Sequence, residues 1–307
     1  MSGFFALFRG SRSGLVGFAI TATLLCMALF APWLAPADPN VQSVADQFAP
    51  PIGSHPFGQD NFGRDTLSRV IYGSRVSLTI GFLSVLIGGT IGTLAGIFAA
   101  LQGGRADRLV LRFTDVLMSF PTLILSILVV VALGPNFINT VIAVAVAMVP
   151  KFIRYARGPT LSIREQEFVQ GAVAAGAGRV RVLFRHVLPL VMGPVTVMGA
   201  LWVGIAIRIE ASLSFLGVGV PPPTAAWGSM LKEGVEAMLF TPWLALFPGL
   251  AIMITILGLN LLGDWLRDIF DPHLKSMFRA AESDGERAGM EAEQVPAFSN
   301  EEMARLG

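Results

Sequence analysis

The sequence predicts an all-α, polytopic membrane protein with six transmembrane helices. Three observations carry that expectation. Only 14% of the 307 residues are charged, well under the about 25% usual in a soluble domain. The apolar residues gather into long uncharged runs. The lysines and arginines fall mainly in alternate connecting segments, as they do where loop charge orients membrane helices.

A helix needs about 20 apolar residues to cross a hydrocarbon core about 30 Å thick. Residues 14–35 meet that requirement. Arg9 and Arg12 precede this run as they would in a signal peptide. The run is longer than an apolar signal core of about 7–15 residues, so it is read as a retained first helix. Residues 76–101 form the second run, and residues 116–150 a third. As one helix the third would be about 50 Å long. Gly134, Pro135 and Asn136 near its middle favour a turn. It therefore divides into a third crossing beginning near Leu109 and a fourth ending near Tyr155. Residues 187–207 and 244–263 supply the fifth and sixth. Backbone groups in lipid must be satisfied within the segment, which makes these runs helices.

With the N-terminus inside, the inner segments hold Arg105, Arg108, Arg112, Lys151, Arg154, Arg157, Arg164, Arg179, Arg181 and Arg185. The outer ones hold only Arg64, Arg69, Arg75 and Lys232. Both termini are thus expected in the cytoplasm. The resulting plan is a cytoplasmic N-terminus (1–13), a membrane domain (14–275) and a tail (276–307). The tail is acidic and poor in large apolar residues, and is expected to be disordered. Outer loops are expected at 37–75 and 217–243, and a cytoplasmic loop at 158–186. At the end of the first outer loop, residues 65–75 can form a short amphipathic helix carrying Leu67, Val70 and Ile71 on one face.

Several functions are disfavoured at once. A net charge of +1 gives no bulk case for nucleic-acid binding. Cys26 is the single cysteine, and His55, His186 and His273 show no ligand spacing, so no metal site is expected. A phosphate-binding G-x-x-x-x-G-K-[ST] loop is absent from the sequence, so ATP is not expected on this chain. No catalytic constellation stands out either.

Three features remain. Gly88, Gly92 and Gly96 recur at four-residue spacing. That spacing allows a second helix to approach closely, either as plain packing or against a moving element. The loop 158–186 carries a short helix from Glu167 to Ala175, followed by Gly176 and Gly178. Ala172, Ala174, Ala175 and Gly176 present little side chain, and Arg179, Arg181 and Arg185 add charge. Such a helix suits a cleft on another protein, or equally a lipid interface. Finally, Arg208 and Glu210 are the only charges between Val187 and Lys232. About 31 Å of helix separates Val187 from Arg208, which puts both charges at the outer end of the fifth crossing. Arg208 is expected to reach the headgroups. Glu210 is expected either to meet water or to pair, at an outer gate, with a partner's cation or a substrate's amino group.

The loop resembles the cytoplasmic "EAA" loop of binding-protein-dependent ABC importer permeases. The matching positions are Gln170, Gly171 and Ala172, then Gly176, then Leu188 and Pro189. Gln170 and Gly171 depart from the usual Glu and Ala. Residues 56–78, 210–231 and 242–272 resemble the dipeptide/oligopeptide/nickel branch, and the first outer loop is of its shorter "C" type. The resemblance implies a type I importer permease fold. It further implies a homologous second permease, two cytoplasmic ATPases holding ATP and magnesium, and an extracytoplasmic binding protein. It places the chain in a bacterial cytoplasmic (inner) membrane, with Glu167, Ala175 and Arg179 completing the ATPase-coupling loop. Dipeptides, longer peptides, nickel chelates, glutathione and opines all fit the branch. An ion-coupled secondary transporter, which would need intramembrane acids or histidines, is the rival reading. A membrane subunit that transports nothing is another.

Overall fold

The computed structural model describes residues 12–270. The tail 276–307 and most of the N-terminal segment 1–13 lie outside them. The described residues up to Leu266 belong to one compact unit, and residues 267–270 to a second. The long elements are α1 (Arg12–Leu29), α2 (Thr66–Gln102), α3 (Gly104–Met118), α4 (Thr122–Leu133) and α5 (Phe137–Arg164). They are followed by α6 (Glu167–Ala174), α7 (Leu188–Phe215), α8 (Trp227–Glu236) and α9 (Trp243–Phe270). A π-helical stretch, Val182–Val187, leads directly into α7. Five helical stretches are long and apolar enough to cross a membrane, and the bent pair α3 and α4 makes up to six.

Helix ends follow local chemistry. Asp65 starts α2 by accepting the backbone N–H of Ser68 at 2.7 Å. Asn136 does the same for α5, accepting from the Asn139 N–H at 2.8 Å. Gly134 turns the chain between α4 and α5.

Four expected boundaries shift. The helix expected at 65–75 forms, but as the first turns of α2, which runs unbroken for 37 residues, so the second crossing starts before Val76. Nothing in that stretch breaks a helix, and Asp65 caps it ahead of Thr66. The third crossing is not straight, because α3 and α4 meet at 91°. Pro121 disfavours helical backbone at Phe120, which stops α3. The fourth crossing continues past Tyr155 to Arg164, with Pro150 and Pro159 tolerated inside it. The fifth continues past Ile207 to Phe215.

The centre of the fold is the contact of α2 with α5. A Cβ on Gly88 would lie 2.6 Å from the Ala145 carbonyl oxygen, and one on Gly92 2.6 Å from that of Val149. On Gly96 it would lie 2.5 Å from the Ile153 oxygen. Backbone therefore meets backbone along this seam, and a larger residue would force the helices apart. α7 packs on the same core through Ala206, Ile207 and Leu213. Phe152 of α5 meets Trp202 of α7 edge to face at 4.4 Å.

Candidate functional site

The loop expected at 158–186 leaves α5 at Arg164 and folds into α6, eight residues long. Val169 is its one buried residue, and it packs with Val182 and Leu183. Glu167, Gln170, Gly171, Ala175, Gly176, Arg179 and Pro189 are exposed, and Ala172 and Leu188 are half-buried. The predicted loop residues from Glu167 to Arg179 thus lie on one short, mostly bare segment, while Leu188 and Pro189 open α7 beyond the π-helical stretch.

The end of α6 has a definite geometry. The Gly176 N–H donates to Val173 O and the Ala177 N–H to Ala172 O, both at 2.9 Å. Gly176 has φ +84°. This pairing of two reversed bonds with a left-handed residue is the Schellman ending, which favours glycine. The loop's second glycine, Gly171, sits inside α6 with open space where a Cβ would be.

Two hydrogen bonds tie the loop to the membrane helices. Gln170 Nε2 donates to Arg164 O at 2.8 Å. Arg164 Nη1 in turn donates to Ala100 O, near the C-terminal end of α2, at 2.8 Å. A glutamate at position 170 would only accept, so the departure from the usual Glu creates a bond that a carboxylate could not make. Arg164 was legible only as a positive charge, since its link to Ala100 spans 64 residues.

At the other end of α2 lies a buried ionic network that sequence reasoning missed. Arg64 and Arg69, read there as outer-loop charges, have almost no exposed surface. Arg64 Nε donates to Asp60 Oδ2 at 2.6 Å, and its Nη2 to Glu233 Oε2 of α8 at 3.1 Å. Arg69 Nη1 donates to Pro39 O at 3.1 Å. Burial pushes the Glu233 carboxyl above its ordinary range, while Arg69 and Arg64 pull it back. Trp227 is fully buried and donates to Val70 O at 2.9 Å, closing α8 onto α2. The four-residue spacing of Asp60 and Arg64 was the one available signal.

Arg208 and Glu210 separate clearly. Arg208 is exposed. Glu210 has no exposed surface, and its Oε1 accepts from Ser214 Oγ at 2.9 Å. The expectation that Glu210 meets water is overturned. The helix does not end there but runs on to Phe215, which keeps the carboxylate inside the bundle. In the folded chain its carboxyl group meets Ser214 rather than water.

Beside the α2–α5 seam lies an apolar cavity of about 500 Å³, lined among others by Phe82, Gly89, Phe152, Met192 and Val203. It opens on the surface of the single chain.

The family described as "Binding-protein-dependent transport system inner membrane component" matches residues 92–276. The N-terminal transmembrane domain of oligopeptide transport permease C matches residues 2–51. A glutathione transport system permease of Escherichia coli is 42% identical over 273 residues, 89% of this chain and 90% of that relative. A dipeptide transport system permease of Alkalihalophilus pseudofirmus is 38% identical over 272 residues, also 89% of this chain and 90% of the relative.

Proposed function

The chain belongs to the binding-protein-dependent transport system inner membrane components, and from that premise we propose that it is half of the translocation path of an ATP-driven importer for peptides or related small solutes. The similarity over 89% of the chain to peptide-type permeases carries this reading. It is a transport subunit of a multi-pass inner-membrane complex. ATP and magnesium are held, and ATP is hydrolysed, on two cytoplasmic partner chains. A second, homologous permease completes the path, and an extracytoplasmic binding protein delivers the solute.

In this reading α6 docks into the ATPases. Its small, exposed residues support that role: Gly171, Ala174, Ala175 and Gly176 offer backbone and methyl groups to a cleft. Closure of the ATPases on ATP displaces α6. The Gln170–Arg164–Ala100 chain of hydrogen bonds passes the displacement to α5 and α2. The path then turns from inward-open to outward-open, accepts solute, and releases it inside after hydrolysis. Both termini are cytoplasmic, as the positive-inside charge distribution favours. In a Cys26→Ser background, a single cysteine at Val44, which is 80% exposed, is expected to react with an impermeant thiol reagent from outside. One at Ala174 should react only after permeabilisation.

Affinity purification tests the function. ATPase chains are expected to co-purify, and the reconstituted complex should take up solute only with ATP and binding protein. Uptake driven by an ion gradient without ATPases would establish the secondary transporter instead. Mass spectrometry of the ligand carried by the cognate binding protein identifies the solute.

A further inference from the structure

Helix α3 carries a face that nothing above uses. Arg105, Arg108, Leu109, Arg112, Phe113 and Val116 are all exposed. Their spacing of three and four places them along one stripe of the helix. At 3.6 residues per turn the three guanidiniums lie along one edge of this stripe and the three apolar side chains along the other; Leu109 is 68% exposed and Phe113 60%. Arg105, Arg108, Leu109 and Arg112 line a shallow concavity of about 200 Å³.

Both acids of α3 pair with arginines of α5. Asp107 accepts two bonds from Arg157, both at 2.7 Å. Asp115 pairs with Arg154 at 2.6 Å. Among the described residues, Arg105, Arg108 and Arg112 have no carboxylate partner. Asp115 borders the stripe but is taken by Arg154, so the three guanidiniums of α3 stand unmatched beside apolar groups that water does not favour.

The same two ion pairs fix the depth of α3. Arg154 and Arg157 lie about 26 and 30 Å along α5 from its outer end at Phe137, at 1.5 Å per residue. That is about the thickness of the hydrocarbon core. The 91° bend turns α3 across the axis of α4 at this level. A helix lying in the interface plane, with cations toward the phosphates and apolar groups toward the acyl chains, is the geometry of a lipid-binding surface.

We propose that this face of α3 binds the phosphate of an anionic phospholipid in the inner leaflet. The arginines hold the headgroup, while Leu109, Phe113 and Val116 sit against the acyl chains. Lipid fits better than an acidic protein surface, because a purely ionic partner leaves those three apolar groups uncovered. The leaflet assignment rests on the cytoplasmic placement proposed above; the site itself does not.

Native mass spectrometry of the purified transporter tests the proposal, titrated with phosphatidylglycerol and separately with phosphatidylcholine. Detergent presents both lipids without sidedness, so the outcome is independent of topology, which thiol labelling at Ala106 reports separately. Arg105→Gln/Arg108→Gln/Arg112→Gln is expected to weaken phosphatidylglycerol binding at least about tenfold, since each cation near an anionic surface contributes about fivefold. Phosphatidylcholine binding should not change. The triple Arg→Lys variant should retain most of the affinity. Should the triple Gln variant be poorly recovered, Arg108→Gln alone is expected to show the same direction at about fivefold. Millimolar inorganic phosphate should displace little lipid. Three results would overturn the proposal: equal phosphatidylglycerol binding by the Gln variants, full displacement by inorganic phosphate, or loss of a co-purifying subunit with lipid binding intact. The last would make the face a protein interface.

Discussion

The two ends of α2 are built in opposite ways. At its N-terminal end, which the proposed topology places outside, Arg64, Arg69, Asp60 and Glu233 form a buried ionic network, sealed by Trp227. At its C-terminal end, which the same topology places inside, α6 is mostly exposed and held by Val169 and one chain of hydrogen bonds. The outer segment is finished within this chain. The inner helix carries surface that a folded subunit does not cover by itself. One continuous 37-residue helix joins them, seamed to α5 by backbone contact. A closed outer end with an open inner one suits a subunit that receives force at one end and keeps its shape at the other.

Substitutions can break this contrast. The largest effect is expected from Arg64→Gln. It leaves Asp60 buried without its main cation, and losing one partner of a buried pair costs about 3–5 kcal/mol. Thermal stability and the yield of folded subunit should fall together. Lys232→Gln, at an exposed pair, should change stability by less than about 1 kcal/mol. Equal effects would mean that the outer network is no more than surface charge.

Gly176→Asp probes the other end. Its left-handed backbone costs a non-glycine residue about 1–2 kcal/mol, so the free subunit should still insert and pair. Uptake and transport-coupled ATPase activity are expected to fall about tenfold or more, as a loss of about 1.4 kcal/mol or more in docking requires. Normal uptake would remove this ending from the coupling surface.

Much of this contrast was legible in the sequence, and the parts that were not share a cause. The apolar runs and the glycine spacing showed the helices and a close-packed face, because both are local periodicities. The extent of α2 was missed because membrane-length reasoning stops where polar residues begin. Arg69 looked like loop charge until its partners, Asp60 and Glu233, were brought to it from elsewhere in the chain. Glu210 was misplaced for a related reason. Counting from Val187 located its height, while only the covering by the rest of the bundle could show its burial. The bend between α3 and α4 follows from Pro121, which length counting passed over in favour of Pro135.

Smaller effects sharpen the picture. Glu210→Gln retains an acceptor for Ser214 Oγ and removes the charge. The KM of uptake should stay within about twofold of wild type, since no ground-state contact with the solute is lost. A marked rise in KM at unchanged complex yield would return this carboxylate to the solute path. Gln170→Glu should have the smallest effect. It removes the bond to Arg164 O, typically about 1 kcal/mol, and is expected to lower coupled ATPase activity only a few-fold at wild-type assembly. Activity equal to wild type would take Gln170 out of the transmitting chain.

The most direct test of the central claim is protection of α6 by its partners. In a Cys26→Ser background, a single cysteine at Ala175 is labelled with a maleimide in the isolated permease and in the assembled transporter. A cysteine at Ala106 on α3 serves as the reference for the same side of the membrane. The account predicts rapid labelling of both in the isolated permease, and loss of labelling at Ala175 alone once the ATPases are bound. Equal labelling of Ala175 with and without the ATPases would contradict it, because α6 would then be bare in the working complex.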